Sequence, residues 1–177
     1  MKKVKKQKTL FVGSKIIVSD QALASTLFNK GNFGAFVNSK LELSIEEAVY
    51  LNEKKELKIY DNAGKELKFN ELVNLAKRKQ KRFWIRYLVF SDLRNMGYLP
   101  KTAFKYGGDF RVYNKGSVPG KEHAEWILYC SDEHESLPLL NFSAMNRVAH
   151  SVRKRLLMGV VDDEGSVTYY EVNWVRM

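Results

Sequence analysis

The chain holds a single cysteine, Cys130, which excludes an intrachain disulfide. It falls in the strand-like run AEWILYC, where a small buried core residue is expected, and a chain without disulfides suits a reducing cytoplasm. Long hydrophobic runs are scarce too. Behind the basic N-terminus, LFVGSKIIV is interrupted by Lys15 and is too short to span a bilayer, so no secretory or membrane role is expected. Histidines number three, and His123, His134 and His150 lack the Cys or His spacing of a zinc site. The carboxylates of Asp109, Glu122 and Glu125 could serve a metal-dependent nuclease, but Trp126 and Ile127 follow Glu125 and no lysine is spaced behind it. No metal and no cofactor are therefore expected. Internal repeats are absent, as is low complexity beyond the N-terminal tail. Acids are the minority, with 20 Asp and Glu against 30 Lys and Arg, and the net charge of +10 favours a polyanionic partner.

What is present reads as two small modules, since domains commonly hold about 100 to 150 residues and the chain has 177. Residues 1–8 carry five lysines and read as a solvated tail. Leu10 to Val18 predicts two short strands around Gly13 and Ser14. Asp20 is placed to cap a helix running to about Asn29, with Gly31 as its stop. Ser44 and Glu47 form a capping box that predicts a helix to about Lys54. Leu57–Tyr60 and Glu66–Phe69 flank DNAGK, a hairpin signal, and Asn70 is expected to cap a helix to about Gln80. Residues 1–80 thus make a small α+β domain with no catalytic cluster.

Five of the six residues 77–82 are Lys or Arg and mark a solvated joint. The following helix, Phe83 to Met96, is apolar on almost every side, so it is expected to be buried on several, with Gly97 ending it and Leu99-Pro100 breaking away. Beyond it the order strand, strand, helix, strand, strand is expected: Asp109–Tyr113, Ala124–Cys130, a helix capped by Ser143 and running to Val152, then Leu156–Val161 and Val167–Val175 joined by an acidic turn at Asp162-Asp163-Glu164-Gly165. Residues 81–177 read as an α/β domain on a mixed sheet, and the whole chain as α+β.

Three side chains of this second domain suit acid, base and charge-stabilising work on a phosphodiester: Tyr113, His123 and Lys154. Histidine exchanges protons near neutral pH. A phenol needs a neighbouring cation to act as a base there, and Lys154 is the expected one. On isolated residues, a packed aromatic, a surface or satisfied core histidine and a solvated lysine are the better readings.

The segments KYGGDFRVY, KEHAEWILY and NRVAHSVRK, in that order, resemble the C-terminal nuclease domain of the archaeal tRNA-splicing endonucleases, from about Phe90 to Val175. The resemblance implies a metal-independent RNA endonuclease, a tRNA-intron lyase, that excises introns from precursor tRNA at bulge-helix-bulge junctions. Tyr113 would then activate the substrate's 2′-hydroxyl, His123 would protonate the leaving 5′ oxygen and Lys154 would stabilise the phosphorane. The products would carry 2′,3′-cyclic phosphate and 5′-hydroxyl ends. Arg147 matches a position that clasps a bulged base, and Trp174 is the candidate for the second stacking plane. An acidic loop at Asp162, Asp163 and Glu164 implies docking between subunits. Because one chain carries both the triad and that loop, a homotetramer is preferred, and a heterotetramer stays open. The rival function is a non-catalytic structural or RNA-binding subunit of a tRNA-processing assembly.

Overall fold

The computed structural model describes residues 9–103, 105, 107–175 and 177; the lysine-rich tail 1–8 and Tyr106 of the KYGGDFRVY segment lie outside the described residues. The chain forms two compact units divided between Trp84 and Ile85.

The first unit is a six-stranded mixed sheet with three helices. Strands β1 (Thr9–Val12) and β2 (Lys15–Val18) form the expected N-terminal pair. Helix α1 (Gln21–Gly31) starts at Asp20, whose carboxylate accepts the Leu23 N–H at 2.9 Å. Its end differs by one residue from expectation. Gly31 stays helical and Asn32 is the left-handed cap, at φ 52°, a conformation that asparagine tolerates better than most residues. Strands β3 (Ala35–Val37) and β4 (Lys40–Leu43) form a hairpin that the sequence reading did not anticipate. Helix α2 (Ile45–Glu53) begins with the predicted capping box: the Glu47 N–H donates to the Ser44 hydroxyl at 3.2 Å, and the Ser44 N–H donates to the Glu47 carboxylate at 2.9 Å. Strands β5 (Ile59–Tyr60) and β6 (Glu66–Leu67) form the second hairpin, shorter than expected. Helix α3 (Phe69–Lys79) starts before Asn70, at Lys68, whose N–H donates to Glu71 at 3.1 Å. The sheet order is β3-β4-β2-β1-β5-β6.

The second unit is a five-stranded mixed sheet in the order β11-β10-β9-β8-β7. Helix α4 (Phe83–Asn95) leads into it and stops at Gly97, whose φ of 91° suits glycine. Next comes β7 (Leu99–Thr102), where the sequence predicted a break. Pro100 can sit in a strand here because β7 is an edge, with only one neighbour to hydrogen-bond. Strands β8 (Phe110–Tyr113) and β9 (Trp126–Asp132) run antiparallel. Helix α5 (Leu139–Ser151) then crosses back so that β10 (Arg155–Val161) lies parallel to β9, and β11 (Val167–Val172) closes the sheet as an antiparallel hairpin. Ser143 is an interior residue of α5 rather than its cap; the helix begins one turn earlier, after Pro138.

Side chains alternating along the strands fill both faces. Ile127, Tyr129, Leu156 and Met158 pack with Ala149 of α5, joined by Phe142, Met145 and Val152. On the other face Phe90 of α4 lies 5.8 Å from Phe110 of β8, ring centre to ring centre. Gly159 of β10 has a reason to be glycine, since a Cβ there would meet the Val89 side chain at 3.1 Å. Arg86, also on α4 and 5% exposed at the side chain, forms an ion pair with Asp109, whose second oxygen accepts the Cys130 N–H at 2.8 Å. Among the described residues no helix is long and apolar enough to cross a membrane.

Candidate active site

Strand register brings two of the candidate catalytic positions, Tyr113 and Lys154, to one end of the second sheet. Val112 of β8 lies opposite Trp126 of β9, and Trp126 opposite Arg155 of β10. One step beyond that row lie Tyr113, the end of β8, and Lys154, the residue before β10. Their strands are separated by β9 alone, so the two backbones are roughly 10 Å apart, twice the inter-strand spacing.

His123 comes from the loop that joins β8 to β9. That loop folds on itself: the Lys121 and Glu122 N–H groups both donate to the Val118 carbonyl, at 3.0 and 3.1 Å. Gly120, at φ 99°, makes the reversal sterically cheap. The chain then straightens as the Glu125 N–H donates to the Val112 carbonyl at 2.9 Å, which aims residues 123–125 along the end of β8.

Lys154 is fixed at both ends. Two residues beyond helix α5, Arg153 turns the chain at φ 54°, and the Lys154 N–H returns to the Ala149 carbonyl at 2.9 Å. Its ammonium donates to the Ala124 carbonyl at 2.8 Å, beside His123. Ala124 also packs with Tyr113 and Leu99. One residue therefore touches both the tyrosine and the lysine.

Tyr113 is 5% exposed, and the cation found over its ring is one the sequence reading did not single out: the Arg111 guanidinium carbon lies 5.8 Å from the ring centre. The two alternate by two residues on β8 and so share a face. Exposed His123 and half-buried Lys154 line an open cleft of about 650 Å³ together with Ala124, Glu125, His150, Arg153 and Arg155. Tyr113 stands behind that lining, in contact with Ala124.

His150, Arg153 and Arg155 were missed as site residues. The cationic run Arg153-Lys154-Arg155 was visible in sequence, and His150 stands one helical turn from Arg147 on α5, at the i,i+3 spacing that shares a face. Trp174, 58% exposed, meets the His150 ring edge-on at 4.9 Å between centres. Arg147 is exposed on α5.

The acidic turn lies at the other end of the sheet. β10 separates it from Lys154 by seven residues, about 20 Å of strand. Asp162 closes the turn by accepting the N–H groups of Glu164 and Ser166, at 3.0 and 2.8 Å. The Asp163 carboxylate contacts His134 Nε2 at 3.1 Å and holds that imidazole above the usual histidine pKa. Among the described residues, Glu133, His134 and Asp163 are the ones whose ligand atoms come close enough to share an ion, and all three are exposed. The three carboxylates weighed for a metal site do not converge. Asp109 serves Arg86 and Cys130, Glu122 turns to the Val118 N–H at 3.4 Å, and Glu125 pairs with Arg155.

Residues 83–169 match the catalytic C-terminal domain of tRNA intron endonuclease, and residues 7–73 match the N-terminal domain of the same enzyme family. The chain belongs to the tRNA intron endonuclease family. Relatives span almost the whole of it. A tRNA-splicing endonuclease of Thermococcus onnurineus is 41% identical, with 93% of this chain and 94% of the relative covered. Those of Pyrococcus horikoshii and Methanothermobacter thermautotrophicus are each 38% identical, with 93% and 91% of this chain and 94% and 93% of the relative covered. The catalytic-domain match of the tRNA intron endonucleases thus contains the strands β8, β9 and β10 that meet at the cleft.

Proposed function

We propose that this chain is a tRNA-intron lyase that cleaves precursor tRNA at bulge-helix-bulge junctions without a metal ion, using the substrate's own 2′-hydroxyl as nucleophile. The observation that carries this reading is that Tyr113 and Lys154 both touch Ala124, the residue after His123, at one end of the sheet, with His123 and Lys154 lining a cleft rich in cations. Tyr113 is the base on the 2′-hydroxyl. His123, the exposed member, protonates the leaving 5′ oxygen. Lys154, flanked by Arg153 and Arg155, stabilises the dianionic phosphorane, where charge fixed before the reaction is worth most. The products carry 2′,3′-cyclic phosphate and 5′-hydroxyl ends.

Residues 81–177 act as the nuclease domain and residues 1–80 as its N-terminal companion. Arg147 and Trp174 grip an unpaired base by stacking, and the placement of Trp174 against His150 supports the tryptophan as the second plane. The active form is a homotetramer in the cytoplasm, its subunits docked through Asp162, Asp163 and Glu164. A symmetric assembly offers two active sites for the two cuts that free an intron.

A substrate with a single 2′-deoxy substitution at the cleaved nucleotide should bind nearly as well as the parent and resist cutting, and a chelator should leave the parent reaction unchanged. Cleavage of the deoxy substrate, or a strict requirement for a divalent ion, would overturn the mechanism.

A further inference from the structure

We infer that Glu125 is a positioning residue for the reaction: its carboxylate ties together the chain neighbours of all three catalytic candidates and sets the aim of His123. One oxygen of Glu125 receives the Arg155 guanidinium, and the other receives the Asn114 side-chain amide at 3.2 Å. Asn114 follows Tyr113, Arg155 follows Lys154, and Glu125 itself lies two residues after His123. The backbone repeats the pattern. The Glu125 N–H donates to Val112 at 2.9 Å, and the Glu125 carbonyl accepts the Arg155 N–H at 3.0 Å. No strand yet holds residues 123–125, because β9 starts at Trp126.

Arg155 is braced from the far side. It donates to both oxygens of Glu171 at 2.8 Å, and its guanidinium carbon lies 4.9 Å from the centre of the Trp126 ring. The Trp126 indole N–H also donates to Glu171, at 2.7 Å, which keeps that carboxylate below its usual pKa and charged. Arg155, which lines the cleft, cannot swing away from Glu125 without giving up these contacts, so Glu125 faces a fixed cation.

The side chains of this lattice are substantially exposed, at 44% for Arg155, 37% for Glu125 and 31% for Glu171. Exposed pairs contribute little to folding. Placement is more demanding, because a shift of about 1 Å at a reacting group can cost on the order of 10²-fold in rate. The lattice is therefore poorly explained by stability and well explained by geometry.

This inference rests on the assignment of His123 as the general acid, and the experiment separates the two. Single-turnover cleavage by the full-length enzyme is measured for the parent, Glu125→Ala, His123→Ala and the double variant. Substrates carry either the natural 5′ oxygen or a 5′ sulfur at the scissile bond. With oxygen, Glu125→Ala should slow cleavage by roughly ten- to a hundredfold without a matching loss of affinity for the 2′-deoxy substrate. It should cost almost nothing more in the His123→Ala background, as expected when one residue acts through another. With the sulfur leaving group, which needs no proton, the effect of Glu125→Ala should largely vanish. Glu125→Gln, which keeps one acceptor oxygen and so can hold Arg155 or Asn114 but not both, should restore part of the rate, and it serves as the test variant should the alanine variant melt early. Additive losses, or a loss that persists with sulfur, would overturn the positioning role while leaving His123 in place. A His123→Ala variant that cleaves at the parent rate would instead overturn the acid assignment.

Discussion

Replacing Asp109 by alanine separates a structural carboxylate from a catalytic one. Asp109 belongs to the same segment as Tyr113 and is one of the three carboxylates, with Glu122 and Glu125, weighed for a metal-dependent site. Its carboxylate is 16% exposed and faces Arg86, which is 5% exposed. Truncation removes the carboxylate from the Arg86 ion pair and the acceptor of the Cys130 N–H. Breaking a buried pair by removing one partner costs about 3 to 5 kcal/mol, and the residual exposure of Asp109 places the expectation near the lower end, about 3 kcal/mol. For a unit of this size each kcal/mol lowers the melting temperature by about 4 to 8 °C, so the transition of the second unit should fall by roughly 12 to 24 °C. Well below that transition the variant should still cleave, because Asp109 lies at the opposite end of β8 from Tyr113. Calorimetry and single-turnover cleavage at low temperature provide the two readouts. A variant that melts with the parent yet cannot cleave would refute the reasoning and place Asp109 in the chemistry. Exchanging both partners for apolar residues, Arg86→Met with Asp109→Leu, should recover most of the stability, since the pair matters mainly when half of it is missing.

Arg147→Ala should weaken RNA binding by about 1 to 3 kcal/mol and narrow the preference for bulged over fully paired RNA; an unchanged preference in a gel-shift series would remove Arg147 from the base clasp. Exchanging Asp162, Asp163 and Glu164 for Asn or Ser should convert tetramers to dimers in sedimentation and weaken excision, and added salt should mimic the change in part; an unchanged tetramer would end the docking role. The His134–Asp163 contact adds a pH dependence of defined sign. Because Asp163 raises the histidine's pKa in the folded state, the contact's stabilisation is fully present below about pH 6.5 and is lost as pH rises through the raised value. Proton NMR should show His134 titrating above the usual histidine value, and Asp163→Asn should lower it, with Glu133 and Asp132 still beside the ring; titration that ignores the substitution would dissolve the link.

Most elements were legible because their local chemistry agrees with their setting, as with Asp20 and the Ser44-Glu47 box. The misses have physical causes. The β3–β4 hairpin turns at Asn38 and Ser39, both with positive φ, 48° and 62°. That geometry normally advertises itself through glycine, and here serine carries the strain. β7 was hidden by Pro100, which only an edge strand accepts, and edge status is a property of the finished sheet. The start of α5 was obscured by Leu139 and Leu140, 80% and 74% exposed, which break the apolar periodicity in its first turn and made Ser143 the more attractive cap. Order in the chain pointed to the candidates Tyr113, His123 and Lys154. The links among them, Ala124, Asn114 and Arg155, depend on register across three strands, and no local pattern encodes register.

The parallel pairing of β9 and β10 gives the sheet a division of labour. The ends where these two strands begin present His123 and Lys154, whereas the ends where they finish present His134 and the acidic turn. A mutation at one end leaves the hydrogen-bond ladder, and hence the other end, in place. If the roles proposed above hold, the docking tip can be edited seven strand residues away from Lys154 without touching the residues proposed for bond breaking.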